Sequence, residues 1–390
     1  MSAAGSTEPA APHAPDRPAP RLQSLLQRDL ERHVYPLGYS RGLDGLRAVV
    51  TLAVVVFHLR APLLPGGFVA MDGFFVLSGY FISALLLRDR ARHGHVGILS
   101  FYRRRAARIV PALAVMLAAT LLYRALTRPD WGWGAIVDAV GYSLAGGWWL
   151  MAGGTLDPAF GHLWSLAIEL QFYAVWPVVF LTLLAILGTG WRLAATIILL
   201  ALAVWAWRLW AAEAGAPWQR LYGFIDMRVD SMLFGAALAC ALPLVGGPAR
   251  TALAARLRPL ALPLLVLGVV TGYAFVHTGR AYYQFGSVVC GALPAVLAVA
   301  ILVLPGTTLL HRIYERPELV ALGRISYAIY LWHFPILWIM REDLMWQAGT
   351  RAAVGLPLTI LAAVTSYVLV ERHFMRRAPA TALTARVRPT

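Results

Sequence analysis

Ten predominantly apolar stretches, each about twenty residues long, decide what this chain can fold into. They run roughly over 43–62, 67–87, 107–126, 163–187, 191–211, 229–247, 257–276, 284–304, 321–340 and 353–372. At ~1.5 Å rise per residue, about twenty helical residues cross the ~30 Å hydrocarbon core of a bilayer. Lipid offers no partner to a peptide group, and a helix satisfies its own. The expected fold class is therefore an all-α polytopic membrane protein with about ten transmembrane helices. Charged residues make up only 14% of the chain and hydrophobic residues 59%. A soluble enzyme, a disordered chain and a nucleic-acid-binding protein all fit that balance poorly.

The 34 basic residues are all arginine. Without lysine there is no Walker-A phosphate loop and no Schiff-base amine. If both termini are cytoplasmic, most arginines fall in connections on the termini's side, as the positive-inside rule requires. An eleventh apolar stretch, 133–151, is rich in Gly and Trp. As a span it would put the basic C-terminal tail outside, so it is read as re-entrant or interfacial. The expected organisation is a disordered tail over 1–20, a juxtamembrane segment over 21–42, a transmembrane domain over 43–374 and a basic cytoplasmic tail over 375–390. The first twenty residues are rich in Pro and Ala and lack a signal peptide's apolar core. Leu22, Leu25, Leu26 and Leu30 share one face, which suits a helix on the inner membrane surface or a short solvated one. Cys240 and Cys290 lie in apolar runs and build neither a disulfide framework nor a Cys-rich metal site. No zinc-type His spacing occurs, and no metal is expected.

Ionisable groups inside spans are costly, so each is a functional candidate. In the first span Arg47 and His58 are eleven residues apart. They differ by only ~20° around the helix and by ~16 Å along it. Thr51 shares their stripe. His58 is the candidate general base, since imidazole takes a proton near neutral pH. The plain alternative is an interfacial anchor and a helix cap. In FYRRRAARIVPAL, Arg105 and Arg108 share a helix face and suit phosphates, although basic runs beside spans usually anchor topology. In the fourth span His162, Ser165, Glu169 and Tyr173 form one polar stripe, with Glu169 facing the bundle. It orients an imidazole or pairs with an Arg. In the ninth, Ser326, Tyr330 and His333 share a face, where hydrogen bonding between helices is the stronger reading. Asp72 and Ser78 sit in the second span. Asp72 is placed to orient His58, and Ser78-Gly79 suits helix packing.

These blocks, taken in order, resemble the acyltransferase type 3 family of bacterial integral-membrane O-acyltransferases. RGLDGLRAVVTLAVVVFH carries its Arg-x10-His pattern at Arg47 and His58. GGFVAMDGFFVLSGYF is similar to its Asp-x-Phe-Phe-x-x-Ser-Gly block. Arg105 and Arg108 match its Arg-x-x-Arg pattern, and HLWSLAIELQFYAVWP, LGRISYAIYLWHFP and VERHF complete the series. The match runs from Arg41 to Phe374. Leu170 stands where the family commonly has a second acid. Longer members carry a soluble hydrolase-like domain after the last span, and here only the membrane domain is expected.

The resemblance implies acyl-CoA as donor, acetyl-CoA by default, with its phosphates on Arg105 and Arg108 and with Arg47 holding the donor or polarising the thioester. It implies His58 as base, with Asp72 or Glu169 as its acid. Ser78, His162, Ser165, Tyr173, Tyr330 and His333 are expected to line the site or substrate, Ser78 or Ser165 serving as nucleophile if an acyl-enzyme forms. The expected partners are the lipid bilayer and a glycan, glycolipid or small glycosylated metabolite as acceptor. The expected location is a bacterial plasma membrane. The rival reading is a proton-coupled transporter of an anionic metabolite or acylated product, relaying protons through His58 and Glu169. A non-catalytic scaffold is a third.

Overall fold

The computed structural model describes residues 40–60, 64–128, 132–276, 278–304 and 306–377. The readings made for the 1–20 tail, for most of the 21–42 segment and for the tail beyond 377 lie outside the described residues. Every regular element among the described residues is helical. In chain order these are α1 (Arg41–His58), α2 (Ala70–His93), α3 (Ile98–Thr127), α4 (Gly134–Ala145), α5 (Gly147–Met151), α6 (Leu163–Leu187), α7 (Trp191–Glu213) and α8 (Trp218–Gly223). They continue with α9 (Ile225–Ala241), α10 (Gly247–Leu257), α11 (Ala261–Ala274), α12 (Ser287–Val303), α13 (Leu309–Tyr314), α14 (Pro317–Arg324) and α15 (Ser326–Glu342). The last, α16, is the run Ala348–Met375, with π turns at Arg351–Gly355 and Tyr367–Glu371.

Seven of these helical runs are long and apolar enough to cross a membrane, and the pair α10–α11, bent by 58°, makes an eighth if it is one span. Over their described residues all ten apolar stretches nevertheless fall mainly on helices. The two that stay below the seven-to-eight tally are α1, with 18 residues including Arg41, Asp44 and Arg47, and α15, with 17. Both carry polar groups of the candidate site, so the chemistry shortens the apolar signal. The 133–151 stretch folds as α4 and α5, 12 and 5 residues long. At ~1.5 Å per residue neither crosses a bilayer. Gly146 makes the break between them with φ 57 and ψ −128, a backbone that excludes ordinary side chains. Asp138 clips the pair together, accepting from the Thr155 hydroxyl (2.5 Å), the Thr155 amide (2.9 Å) and the Trp149 indole (2.9 Å). Those donors hold the Asp138 carboxyl below the usual range.

The centre of the bundle is α2 against α9. Their apolar windows are 72% and 67% buried, against 28% for α6 and α7 and 22% for α16. Gly79 and Gly235 allow the crossing. A Cβ on Gly79 would overlap the Met232 carbonyl, and one on Gly235 the Val76 carbonyl. Small residues let membrane helices approach this closely. Two fully buried ion pairs lock the same region. Arg208 of α7 grips Asp230 of α9 at 2.9 and 2.7 Å and also donates to Ser287 Oγ at 2.6 Å. Arg228 of α9 donates to Asp72 of α2 at 2.8 Å, and Ser231 and Tyr282 complete that carboxylate's partners, each at 2.8 Å. Outward, Leu122, Ile186, Leu199 and Val269 are exposed, as expected of surfaces that face lipid.

Candidate active site

Two cavities open at opposite ends of α1. The first, about 310 Å³, is lined by Asp44 and Arg47 of α1, Ser78 of α2, Arg105 and Arg108 of α3, Ser165, Glu169 and Tyr173 of α6, and Tyr327 and Tyr330 of α15. The sequence spacings explain the gathering. The Arg105/Arg108 pair and the Ser165/Glu169/Tyr173 stripe each turn one face of their helix to the same space. Glu169 accepts from Ser78 Oγ at 2.5 Å and from the Tyr173 hydroxyl. Arg105 lies over the Tyr173 ring at 5.6 Å and the Phe101 ring at 5.7 Å. Arg47 reaches Asp44 only at 3.8 Å. Among the described residues neither Arg105 nor Arg108 is in an ion pair. Two guanidiniums turned into a cavity without carboxylates of their own suit an anion with several phosphate oxygens.

The second cavity, about 1050 Å³, is lined by His58 and Arg60, His162, Tyr142, Trp164, Trp218, Tyr222, Phe224 and Phe334, with Leu150 and Met151 of α5 at its edge. Met71 of α2 and Tyr330 of α15 line both cavities. With Val54 they form a buried cluster, and that cluster is the wall between them.

His58 Nδ1 lies 3.0 Å from His333 Nε2, and His333 Nδ1 lies 2.6 Å from the Tyr330 carbonyl. A carbonyl only accepts, so His333 carries its proton on Nδ1 and its neutral ring offers Nε2 as an acceptor. His58 must then donate from Nδ1, which leaves its Nε2 lone pair for the cavity. This chain performs for the tautomer of His58 what an acid performs in a triad. The sequence reading sought an acid partner, and the structure sends both candidates elsewhere. Asp72 is enclosed by Arg228, Ser231 and Tyr282, and Glu169 bonds Ser78 and Tyr173. The reason is charge matching: in a dry interior Asp72 takes the nearest guanidinium.

His162 stacks on Phe334 at 4.9 Å, and its ring lies 5.7 Å from that of His333. Among the described residues neither of its ring nitrogens has a hydrogen-bond partner. The Tyr330 hydroxyl meets Ser165 Oγ at 2.5 Å and the His162 carbonyl at 2.6 Å, tying α15 to α6. Ser326 stays outside both cavities, its hydroxyl buried and without a partner among the described residues. No group of three or more His, Cys, Asp or Glu among the described residues could hold a metal.

Sequence reasoning missed Arg228, Met71 and the Arg208–Asp230 pair. Arg228 stands just before the 229–247 stretch and is fully buried in α9. Arg208 and Asp230 lie inside apolar runs, and the cost of a charge in a span was signal enough to pair them. Met71 has no such signal.

Residues 40–371 match a family model described as an acyltransferase domain. Peptidoglycan O-acetyltransferase OatA of Listeria monocytogenes is 29% identical over 86% of this chain and 56% of its own length. A putative O-acetyltransferase of Staphylococcus aureus is 30% identical over 87% of this chain and 58% of its own. Putative peptidoglycan O-acetyltransferase YrhL of Bacillus subtilis is 30% identical over 86% and 54%. The chain thus spans little more than half the length of these relatives. No solved structure matches it. The transporter reading finds no support among these relatives.

Proposed function

This chain belongs to the acyltransferase family, and on that premise we propose that it moves an acyl group, acetyl by default, from acyl-CoA to a hydroxyl of a glycan, glycolipid or glycosylated metabolite at a bacterial plasma membrane. One observation carries the reading. A cavity with two guanidiniums free of ion pairs and a cavity with an oriented imidazole share a wall of Met71 and Tyr330. Arg105, Arg108 and Arg47 hold the donor's phosphates in the first cavity, on the cytoplasmic side. The donor supplies a thioester carbonyl. The ~16 Å between Arg47 and His58 is a reach for an extended thiol arm, which threads past the Met71 and Tyr330 side chains of the wall, so the acyl group meets the acceptor without the phosphates leaving their arginines.

His58 Nε2 takes the acceptor's hydroxyl proton as that oxygen attacks the thioester carbonyl. The C–S bond then breaks, and the proton passes from His58 to the leaving sulfur. His333 keeps the His58 tautomer fixed throughout. His162, which lines the same cavity, is the neighbouring group for hydrogen bonding to the reacting carbonyl or hydroxyl. Glu169 serves the first cavity by fixing Ser78 and Tyr173 beside the arginines.

The test is thiol release from acetyl-CoA by membranes holding the protein, wild type beside His58→Ala, with a panel of acceptors. Acceptor-dependent release should be lost in the variant, by ~10²–10⁴-fold for removal of a general base, while CoA binding persists. A fully active His58→Ala protein would overturn the reading.

A further inference from the structure

The α4–α5 segment builds one edge of the second cavity. Leu150 and Met151 line that cavity and are exposed. Val137, Val140 and Leu144 are exposed on α4 at spacings of three and four, so they form one outward face, and Trp148 and Leu150 extend the exposed apolar surface along α5. The polar clip at Asp138 and Thr155, itself at the surface, and the turn at Gly146 fix α5, and these apolar groups stay exposed. In a membrane protein, an exposed apolar surface of this kind faces lipid. On that reading the edge of the cavity meets the bilayer.

The interior agrees with that opening. Rings of Phe57, Phe68, Trp164, Tyr222, Phe224 and Phe334 wall it, with Trp164 and Tyr222 only 4.2 Å apart between centroids. Among the described residues no Asp or Glu lines it. Arg220 is already held by both oxygens of Asp226, at 2.8 and 2.5 Å, and Arg60 is exposed. Apart from ring hydroxyls and indoles, the polar side chains that line it are His58, His162, Gln219, Arg60 and Arg220. A sugar chain buried here would set several hydroxyls against rings with few acceptors, and unsatisfied buried hydroxyls cost affinity. An apolar body would gain from the same walls.

We propose that the acceptor hydroxyl is carried on an apolar body dissolved in the bilayer, which enters sideways past Leu150 and Met151. This rests on the acyl-transfer reading and narrows its acceptor to a lipid-borne alcohol. The acceptor oxygen–acyl bond forms as the acyl–sulfur bond breaks, and His58 moves the proton from the hydroxyl to the thiol.

The test uses the whole protein in lipid nanodiscs with acetyl-CoA. One arm offers farnesol dissolved in the bilayer, the other a water-soluble N-acetylglucosamine tetramer. Farnesyl ester should form and the tetramer should stay unmodified. Leu150→Glu places a charge at the opening and should lower farnesol turnover by about tenfold, mainly through KM. Val137→Glu, on the same exposed surface away from the cavity, should leave turnover unchanged. CoA binding, read separately by calorimetry, checks that each variant is folded. Faster acylation of the tetramer, or intact CoA binding with no farnesyl ester, overturns this inference and leaves the acyl-transfer reading standing. Absence of both CoA binding and transfer in the wild type overturns that reading itself.

Discussion

The first cavity gathers Arg47, Arg105 and Arg108 around a carboxylate held by two hydroxyls, in about 310 Å³, whereas the second sets two imidazoles among aromatic rings, in about 1050 Å³. One is built to hold an anion and the other to take a proton in an apolar space. A guanidinium keeps its charge in either setting, but an imidazole works as a base only while neutral. The wall of Val54, Met71 and Tyr330 keeps the two environments apart. The separation implies that donor binding and proton transfer fail independently when their own residues change, and together only when the shared support fails.

The largest effect should come from that support. Asp72 adjoins Met71 in sequence, and Arg228 lies 5.2 Å over the Tyr222 ring of the second cavity. Arg228→Met leaves the Asp72 carboxylate buried without its cation, which costs about 3–5 kcal/mol. Thermal unfolding in detergent should fall accordingly, with CoA binding and transfer lost together. Replacing both partners, as Asp72→Leu with Arg228→Met, should recover much of the stability, because the stranded charge is gone. Arg228→Met with unchanged unfolding temperature would show the two cavities need no common support.

His333→Phe should separate the cavities most clearly. It removes the group that fixes the His58 tautomer and leaves the arginines and Glu169 of the first cavity in place, Tyr330 being the one residue of that cavity which His333 contacts here. We expect turnover to fall by about 10²-fold, in line with the loss of an oriented base, and CoA affinity to stay within a factor of two. Rescue by His333→Asn, whose carbonyl can accept from His58 Nδ1, distinguishes an orienting role from a packing one. The converse separation is Arg105→Ala or Arg108→Ala. A lost charge-assisted contact to phosphate is worth about 1.5–3 kcal/mol, so CoA should bind about 10- to 100-fold more weakly. The wild type should lose part of that advantage at high salt. Slow transfer with normal CoA affinity in these variants would break the division of labour.

How far this comparison was legible beforehand depends on the range of each interaction. The all-helical architecture, and the assignment of every apolar stretch to a helix, follow from the length and hydropathy of the runs. The periodicity of α1 does place Arg47 and His58 in different cavities along one helix. The stripe of α6 does bring Ser165, Glu169 and Tyr173 to one cavity, and its first member, His162, to the other. These are contacts within a helix, where 100° per residue is enough. Asp72 was misplaced because its partner is 156 residues away, and the pairing of His58 with His333 spans 275. Sequence periodicity carries no information on such pairs. The count of spans was also obscured for a physical reason: α1 and α15 give up apolar length to the groups that line the site.

Tyr173→Phe is the smallest change and bears on Glu169 and, through a 3.3 Å contact of the same hydroxyl, on Ser78. The tyrosine hydroxyl is one of two side-chain donors to that carboxylate, and Ser78 Oγ remains at 2.5 Å. The ring itself stays, so Arg105 keeps its aromatic face. Loss of one hydrogen bond of this kind costs about 1 kcal/mol, or roughly fivefold. If Glu169 acts only by ordering the first cavity, that factor should appear in the KM for acetyl-CoA, with kcat unchanged. If Glu169 instead exchanges a proton during transfer, its altered hydrogen bonding should appear in kcat and in the pH profile. His58 and His333 are connected to each other and to the Tyr330 carbonyl, whereas Glu169 bonds Ser78 and Tyr173, so the expected result is the KM effect.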